Sequence, residues 1–111
     1  MKTFRFKKKY FEMICSGRKS LECRVYYPSV RDVKVGDVVR YFWEDRSYDV
    51  KIVSVRRYRN FYEMLKNEDI DKLVPGMNFK QALKEYQRIY PEWKIKKFGG
   101  VVVFEFIPVK F

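Results

Sequence analysis

The segment from residue 19 to residue 27 alternates between apolar and polar side chains, and this alternation limits the fold more than any other feature of the chain. Successive side chains of a β-strand point to opposite faces of a sheet, so the pattern predicts a half-buried strand with one polar face. The apolar set is Leu21, Cys23, Val25 and Tyr27, and the polar set is Ser20, Glu22, Arg24 and Tyr26.

Four further segments have strand patterns, namely residues 3–7, 38–43, 48–58 and 101–107. The last of these is almost entirely apolar, which is typical of a strand buried on both faces and predicts a central position in the sheet. In residues 48–58 the alternation slips by one position, because Val50 and Ile52 share one face while Val53 and Val55 share the other. This slip predicts a β-bulge near Ile52.

Apolar residues at helical spacing predict helices over residues 8–16, after Asn60 and after Asn78. Gly17 stands where the first helix should end, and asparagine is a favoured N-cap residue at the start of the other two. Pro75 and Gly76 predict a turn between the second and third helices.

The segment that follows Tyr90 and Pro91 is predicted to be a short basic connection to the last strand. The order of elements indicates an α+β fold, a small mixed β-barrel of about five to six strands with three or four helices packed around it. No linker, repeat or low-complexity stretch interrupts the 111 residues, so residues 1–111 are predicted to form one domain.

The chain has no histidine, which excludes Ser-His-Asp and Cys-His catalytic pairs and every histidine-ligated metal site. Its two cysteines, Cys15 and Cys23, lack the spacing of a zinc or redox motif and are predicted to be reduced, partly buried thiols. No carboxylate group shows metal-ligand spacing, so we expect neither a metal nor a cofactor. The carboxylates considered are Glu44, Asp45, Asp49, Glu68, Asp69 and Asp71.

No apolar run approaches the roughly 20 residues of a membrane span, and the first residues lack the apolar stretch of a signal peptide. We therefore expect a cytoplasmic protein with no membrane partner, and a monomer.

The chain carries 25 Lys and Arg residues against 14 Asp and Glu residues, a formal net charge of +11. Such a surplus attracts polyanions, and nucleic acid is the natural partner. The alternative is a lysine-rich solvated surface, which is common in proteins from hot habitats and would make this a thermophilic protein without a nucleic-acid ligand.

Residues 17–24 match the pattern GxKxxExR through Gly17, Lys19, Glu22 and Arg24. This pattern resembles the signature of ASCH domains (activating signal cointegrator homology), which belong to the PUA-like β-barrel superfamily. The resemblance implies a cleft between barrel and helices that binds RNA or a modified nucleoside, in RNA processing, translation or transcription.

One branch of the family to which the chain is similar removes the acyl group from N4-acetylcytidine with a lysine, a threonine three residues later and a distant glutamate. Here Lys19 is retained, but Glu22 stands at the threonine position and Pro75 stands about where the glutamate would fall. Some ASCH proteins are also reported to cleave RNA. A metal-independent ribonuclease would use Lys19 as acid or electrophile and Glu22 as base.

From the residues alone, Glu22 and Arg24 project from one strand face roughly 6–7 Å apart, near enough to share a ligand or to pair with each other. Glu22 is suited to accept a hydrogen bond from an exocyclic amine of a base, and Arg24 to donate to a phosphate or a keto oxygen. The structural alternative is an ion pair that closes the mouth of the barrel. Glu22 is also expected to raise the pKa of Lys19, which would disfavour catalysis.

Other predicted RNA contacts are the hydroxyl of Ser20, the ring of Tyr26, and the run Arg57, Tyr58 and Arg59, which continues from Arg56. Interleaved cations and rings suit phosphate contact and base stacking. Trp93 beside Lys94, Lys96 and Lys97 has the same composition. Each of these also has a structural interpretation, as core packing or as a solvated surface.

Overall fold

The computed structural model describes residues 1–109, so the last two residues of the predicted domain lie outside the described part of the chain. The strands are β1 (Thr3–Arg5), β2 (Leu21–Val25), β3 (Val38–Trp43), β4 (Arg46–Tyr58) and β5 (Val101–Pro108). The helices are α1 (Lys8–Cys15), α2 (Phe61–Asn67), α3 (Ile70–Leu73), α4 (Phe79–Ile89) and α5 (Glu92–Phe98). Five strands and five α-helices over these residues confirm the α+β class.

The five strands form one sheet in the order β1-β3-β4-β5-β2. β1 pairs with β3 in parallel, and the other neighbours are antiparallel. β5 therefore lies inside the sheet between β4 and β2, as its apolar sequence predicts. β1 and β2 are the two edges, and the sheet curls into a half-barrel that brings these edges towards each other.

β5 is buried on both faces and divides the apolar interior into two cores. Val102 and Phe104 belong to the core inside the half-barrel, whereas Val101 and Val103 belong to the core that the sheet shares with α2, α4 and α5. The apolar side chains of β2 join the second core. The polar face of β2 consequently turns towards the inside of the half-barrel and not towards solvent.

Local signals in the sequence fix several element boundaries. The register of β4 against β5 shifts between Ile52 and Ser54, which confirms the predicted bulge. The Asn60 and Asn78 side chains accept hydrogen bonds from the backbone of α2 and α4, and Gln81 completes a capping box with Asn78. Both caps are those predicted.

Two short helices, α3 and α5, were not predicted by periodicity. α5 replaces the predicted basic connection. Its buried residue is Ile95, and a single buried position gives no apolar repeat from which a helix could be predicted. The two cysteines are free, with Cys15 half-buried and Cys23 buried, as predicted. Among the described residues, every helix is too short or too polar to traverse a lipid bilayer.

Gly100 allows β5 to enter the sheet against the end of β4. Its φ is +110°, and a Cβ atom there would lie 2.3 Å from the Tyr58 carbonyl oxygen. Gly36 has a similar φ of +94° but no atom within 4 Å of a Cβ position. A side chain at either glycine would strain the backbone, but only a side chain at Gly100 would also collide with a neighbouring strand.

We expect Gly100→Ala to lower the free energy of unfolding by about 1–3 kcal/mol more than Gly36→Ala, because only the first forces backbone apart. Both changes carry the left-handed strain of about 1–2 kcal/mol. Urea unfolding of the two variants measures the difference, and equal losses would contradict the proposed steric role.

Candidate functional site

A cleft of about 180 Å³ lies where the edges of the sheet meet α1 and α4. Three of the residues predicted from the sequence line it, namely Lys19, Glu22 and Arg24. The full lining is Arg5, Phe6, Lys7, Tyr10, Lys19, Glu22, Cys23, Arg24, Val74, Tyr86, Ile89 and Tyr90.

Gly17 directs the chain from α1 into β2. It has a φ of +82°, and the backbone N–H of Lys19 donates to the Met13 carbonyl at 3.0 Å. The turn therefore carries Lys19 back along α1 before the strand begins. This explains why a glycine precedes the charged residues of the motif.

Glu22 and Arg24 form an ion pair inside the half-barrel. The Glu22 side chain is 3% exposed and the Arg24 side chain 21% exposed. Arg24 also donates from Nη2 to the Arg5 carbonyl of β1 at 2.9 Å, and its guanidinium lies 4.9 Å and 5.0 Å from the ring centres of Phe4 and Phe6. The ion pair thus links the two edges of the sheet.

The two carboxylate oxygens of Glu22 have different surroundings. Oε1 accepts from Arg24 Nε, whereas Oε2 is buried without a hydrogen bond among the described residues. The hydroxyl of Tyr41 is likewise buried without a hydrogen-bond partner within residues 1–109. Burial, then the charge of Glu22 and a side-chain hydrogen bond to it, raise the pKa of Tyr41 well above its ordinary value. The hydroxyl and the carboxylate therefore lie close together, although their geometry falls short of an ordinary hydrogen bond. A buried acceptor without a hydrogen bond of ordinary geometry is costly in an apolar interior unless a ligand or water completes its bonding.

Lys19 is 5% exposed, and its Nζ donates to the carbonyls of Leu21 and Leu73, each at 2.6 Å. These bonds join the start of β2 to the end of α3. Burial lowers the pKa of Lys19 to about 8 and outweighs the opposite effect of Glu22. Glu22 does raise the pKa of Lys19 as expected, but the desolvation of the ammonium is the larger effect, so the net pKa lies below its ordinary value.

Aromatic side chains from α1 and α4 form the opposite wall. Tyr10 donates to Glu85 and so connects the two helices, and the ring of Tyr86 stacks on Phe61 with centres 4.9 Å apart. Burial raises the pKa of Tyr90 to about 12. Sequence reasoning did not identify these tyrosines as site residues, because their helical spacing is equally typical of core packing.

The remaining predicted site residues lie outside the cleft lining. Ser20 is half-buried at the start of β2, where its backbone bonds to Lys72 and Phe106. The Tyr26 ring is covered by Arg57, whose guanidinium lies 3.7 Å from the ring centre, and the Arg31 guanidinium lies at 4.9 Å. Tyr26 is therefore already engaged in a cation–π contact.

The basic run at the end of β4 is partly structural. Arg56 makes two bonds to Glu68, at 2.6 Å and 2.7 Å, and the Tyr58 hydroxyl donates to the same carboxylate at 2.5 Å. Arg59 is the exposed member, with a long contact to Glu63 at 3.6 Å. Across residues 1–109, no three cysteine, aspartate or glutamate side chains are grouped as metal ligands.

The ASCH domain family model matches residues 5–110. The chain belongs to the ASCH domain family. This ASCH domain is similar in structure to hypothetical protein PH0355, with 33% identity, a TM-score of 0.87 and coverage of 98% of this chain and 100% of that one. It is also similar to protein PF0455 from Pyrococcus furiosus, with 30% identity, a TM-score of 0.77 and coverage of 99% and 98%. The comparison with curated proteins gives no match.

The buried Lys19 predicts a pH-dependent stability. Its pKa is about 8 in the folded ASCH domain against 10.5 ordinarily, so between these values the unfolded chain binds more protons and stability rises with pH. We expect the stability of the wild type minus that of Lys19→Met to rise by up to about 3 kcal/mol from pH 8 to pH 10.5. Urea unfolding across this range measures it. Subtracting the free energy of unfolding of Lys19→Met from that of the wild type at each pH cancels the titration of tyrosines and cysteines, which both proteins share. If this subtracted value does not change with pH, Lys19 is not buried with a lowered pKa.

We expect Arg24→Met to lower the free energy of unfolding by about 3–5 kcal/mol, since it leaves the buried Glu22 carboxylate without a counter-charge. The double variant Glu22→Leu/Arg24→Met removes both charges with similar volume and should recover most of that loss. Chemical denaturation of both variants tests the pair. A double variant as unstable as Arg24→Met would show that the ion pair is not the source of the loss.

Proposed function

We propose that this ASCH domain binds single-stranded RNA and takes one base into the cleft. The observation that carries the proposal is the buried Oε2 of Glu22, an acceptor on a residue that lines the cleft and that has the Tyr41 hydroxyl beside it but no hydrogen bond of ordinary geometry among the described residues. A base edge with an amino group supplies the missing donor. Cytosine and adenine present such a group, and glutamate accepts from cytosine N4 in nucleic-acid complexes.

The size and walls of the cleft support a base as the ligand. Its volume of about 180 Å³ is below the roughly 300 Å³ at which pockets for drug-sized ligands begin, so it suits one planar ring system. Tyr10, Tyr86 and Tyr90 provide aromatic surfaces beside the charged pair. Single-stranded RNA is recognised by this combination of stacking and base-edge hydrogen bonds.

The surroundings favour a polyanion. Arg5 and Lys7 are exposed residues of the cleft lining, and the whole chain has a net charge of +11. Phosphates that follow the bound base would therefore meet cations.

A hydrolase is the second candidate, and the lowered pKa of Lys19 favours it. With a pKa of about 8, part of Lys19 is a neutral amine near physiological pH and Glu22 lies in the same cleft. Two observations count against hydrolysis. Ser20, whose hydroxyl could serve as a nucleophile, does not line the cleft, and Lys19 Nζ already donates hydrogen bonds to two carbonyls. We therefore rank hydrolysis of an acylated cytidine or of RNA second, and its test is release of acetate or of RNA fragments that Lys19→Met abolishes.

The test of binding is fluorescence anisotropy of labelled oligocytidylate and oligouridylate. The wild type should bind oligocytidylate more tightly. Glu22→Leu/Arg24→Met keeps the net charge at +11 and should lose this preference and about 5- to 100-fold in affinity, since a base-specific pair contributes about 1–3 kcal/mol.

Lys51→Gln is the control for a change of surface charge away from the cleft. Lys51 is exposed and pairs with Ile107, about 17 Å along β5 from Val102, the partner of Arg24. It should bind slightly more weakly at low salt and retain the preference. A double variant that binds oligocytidylate as the wild type does would refute the cleft as the base site.

A further inference from the structure

Helix α5 presents an exposed tryptophan between lysines. Trp93 is 58% exposed, the most exposed aromatic residue of the described chain. The Nζ atoms of Lys94 and Lys97 lie 5.7 Å and 5.9 Å from its ring centre. We name Trp93, Lys94 and Lys97 the α5 platform.

The stability of α5 explains its lysines in the last turn but not the exposure of Trp93. Lys96 and Lys97 in the last turn interact favourably with the carboxyl end of the helix. Ile95 anchors the helix in the core. The indole of Trp93 leaves a large apolar ring in water, whereas tryptophan is typically found at the centre of binding surfaces.

A short chain connection places the platform next to the cleft. Tyr90, which lines the cleft, precedes Trp93 by three residues, so their Cα atoms lie at most about 11 Å apart. The platform and the cleft are therefore within reach of one short oligonucleotide.

The charge of the helix identifies the class of partner. Glu92 is its acidic residue and lies 3.9 Å from Lys96, whereas Lys94 and Lys97 face the indole. Arg31 and Arg57 bond to the carbonyls of Phe98 and Gly99 at the end of α5 and add two more positive charges there. An exposed aromatic ring among cations complements a base and its phosphates.

We propose that the α5 platform stacks a second base of the single-stranded RNA whose neighbouring nucleotide occupies the cleft, with Lys94 and Lys97 at its phosphates. This inference rests on the proposed function for the position of the first base. The platform extends the contact from one nucleotide to several and contributes affinity without selecting a sequence, because every base has an aromatic face.

The experiment compares cytidine monophosphate with a longer oligocytidylate as ligands for Trp93→Ala, Trp93→Phe and Tyr62→Ala. Tyr62 is the matched control, since it is an aromatic residue 49% exposed on α2. Trp93→Ala should weaken oligocytidylate binding by roughly 5- to 100-fold, the range for loss of one stacked base. It should leave the monophosphate affinity unchanged, Trp93→Phe should restore most of the loss, and Tyr62→Ala should have no effect.

A direct signal comes from a Trp43→Phe background, in which Trp93 is the one remaining tryptophan. Oligocytidylate should quench its fluorescence, and the monophosphate should not. If Trp93→Ala binds the oligonucleotide as tightly as the wild type, or if the wild type binds no oligonucleotide, the platform is refuted. If the monophosphate does not bind but oligonucleotide binding still depends on Trp93, the cleft proposal fails and the platform stands.

Discussion

The two edges of the sheet, β1 and β2, are joined by side chains and not by a ladder of backbone hydrogen bonds. Arg24 makes the connection, since it bonds to the Arg5 carbonyl and lies over Phe4 and Phe6 of the opposite edge. Glu22 holds the guanidinium in place from within the half-barrel. An opening remains beside this contact because side chains fill the gap less completely than a paired strand would, and the cleft lies there.

The same charged pair therefore serves the architecture and the candidate site. The structural alternative considered from the sequence, an ion pair that closes the barrel mouth, describes the contact of Glu22 with Arg24. It does not account for the second carboxylate oxygen, which is buried beside the Tyr41 hydroxyl without a hydrogen bond of ordinary geometry among residues 1–109. A purely structural carboxylate would normally have both oxygens satisfied. The closure and the proposed base contact thus use different atoms of one residue.

Much of the fold follows from local patterns in the sequence. The alternation around Glu22, the slip at Val53 and the asparagine caps depend only on neighbouring residues, and the structure confirms each. The walls of the cleft could not be predicted in this way. Tyr10 and Tyr86 lie on helices far apart in the chain, and only tertiary packing decides whether such rings face a core or an opening.

The chemistry of Lys19 shows the same limit. The sequence places a carboxylate three residues away, but the effect that dominates its pKa is burial under α3, a short helix without a recognisable period. Similarly, Tyr26 has the composition of a free stacking surface, yet Arg57 from the end of β4 covers it. In both cases the deciding contact comes from an element distant in sequence.

The pairing of β2 with β5 has a consequence for how the molecule is made. Val25 pairs with Val101, so the strand that carries Glu22 and Arg24 has no backbone partner in the sheet until the ribosome has delivered residues from the other end of the fold. Pairing over such a long stretch of chain is slow compared with the formation of local structure. During translation Glu22 and Arg24 remain in water as ordinary solvated charges. They become a buried pair only when β5 inserts, so the cleft is completed only after nearly the whole fold has been synthesised.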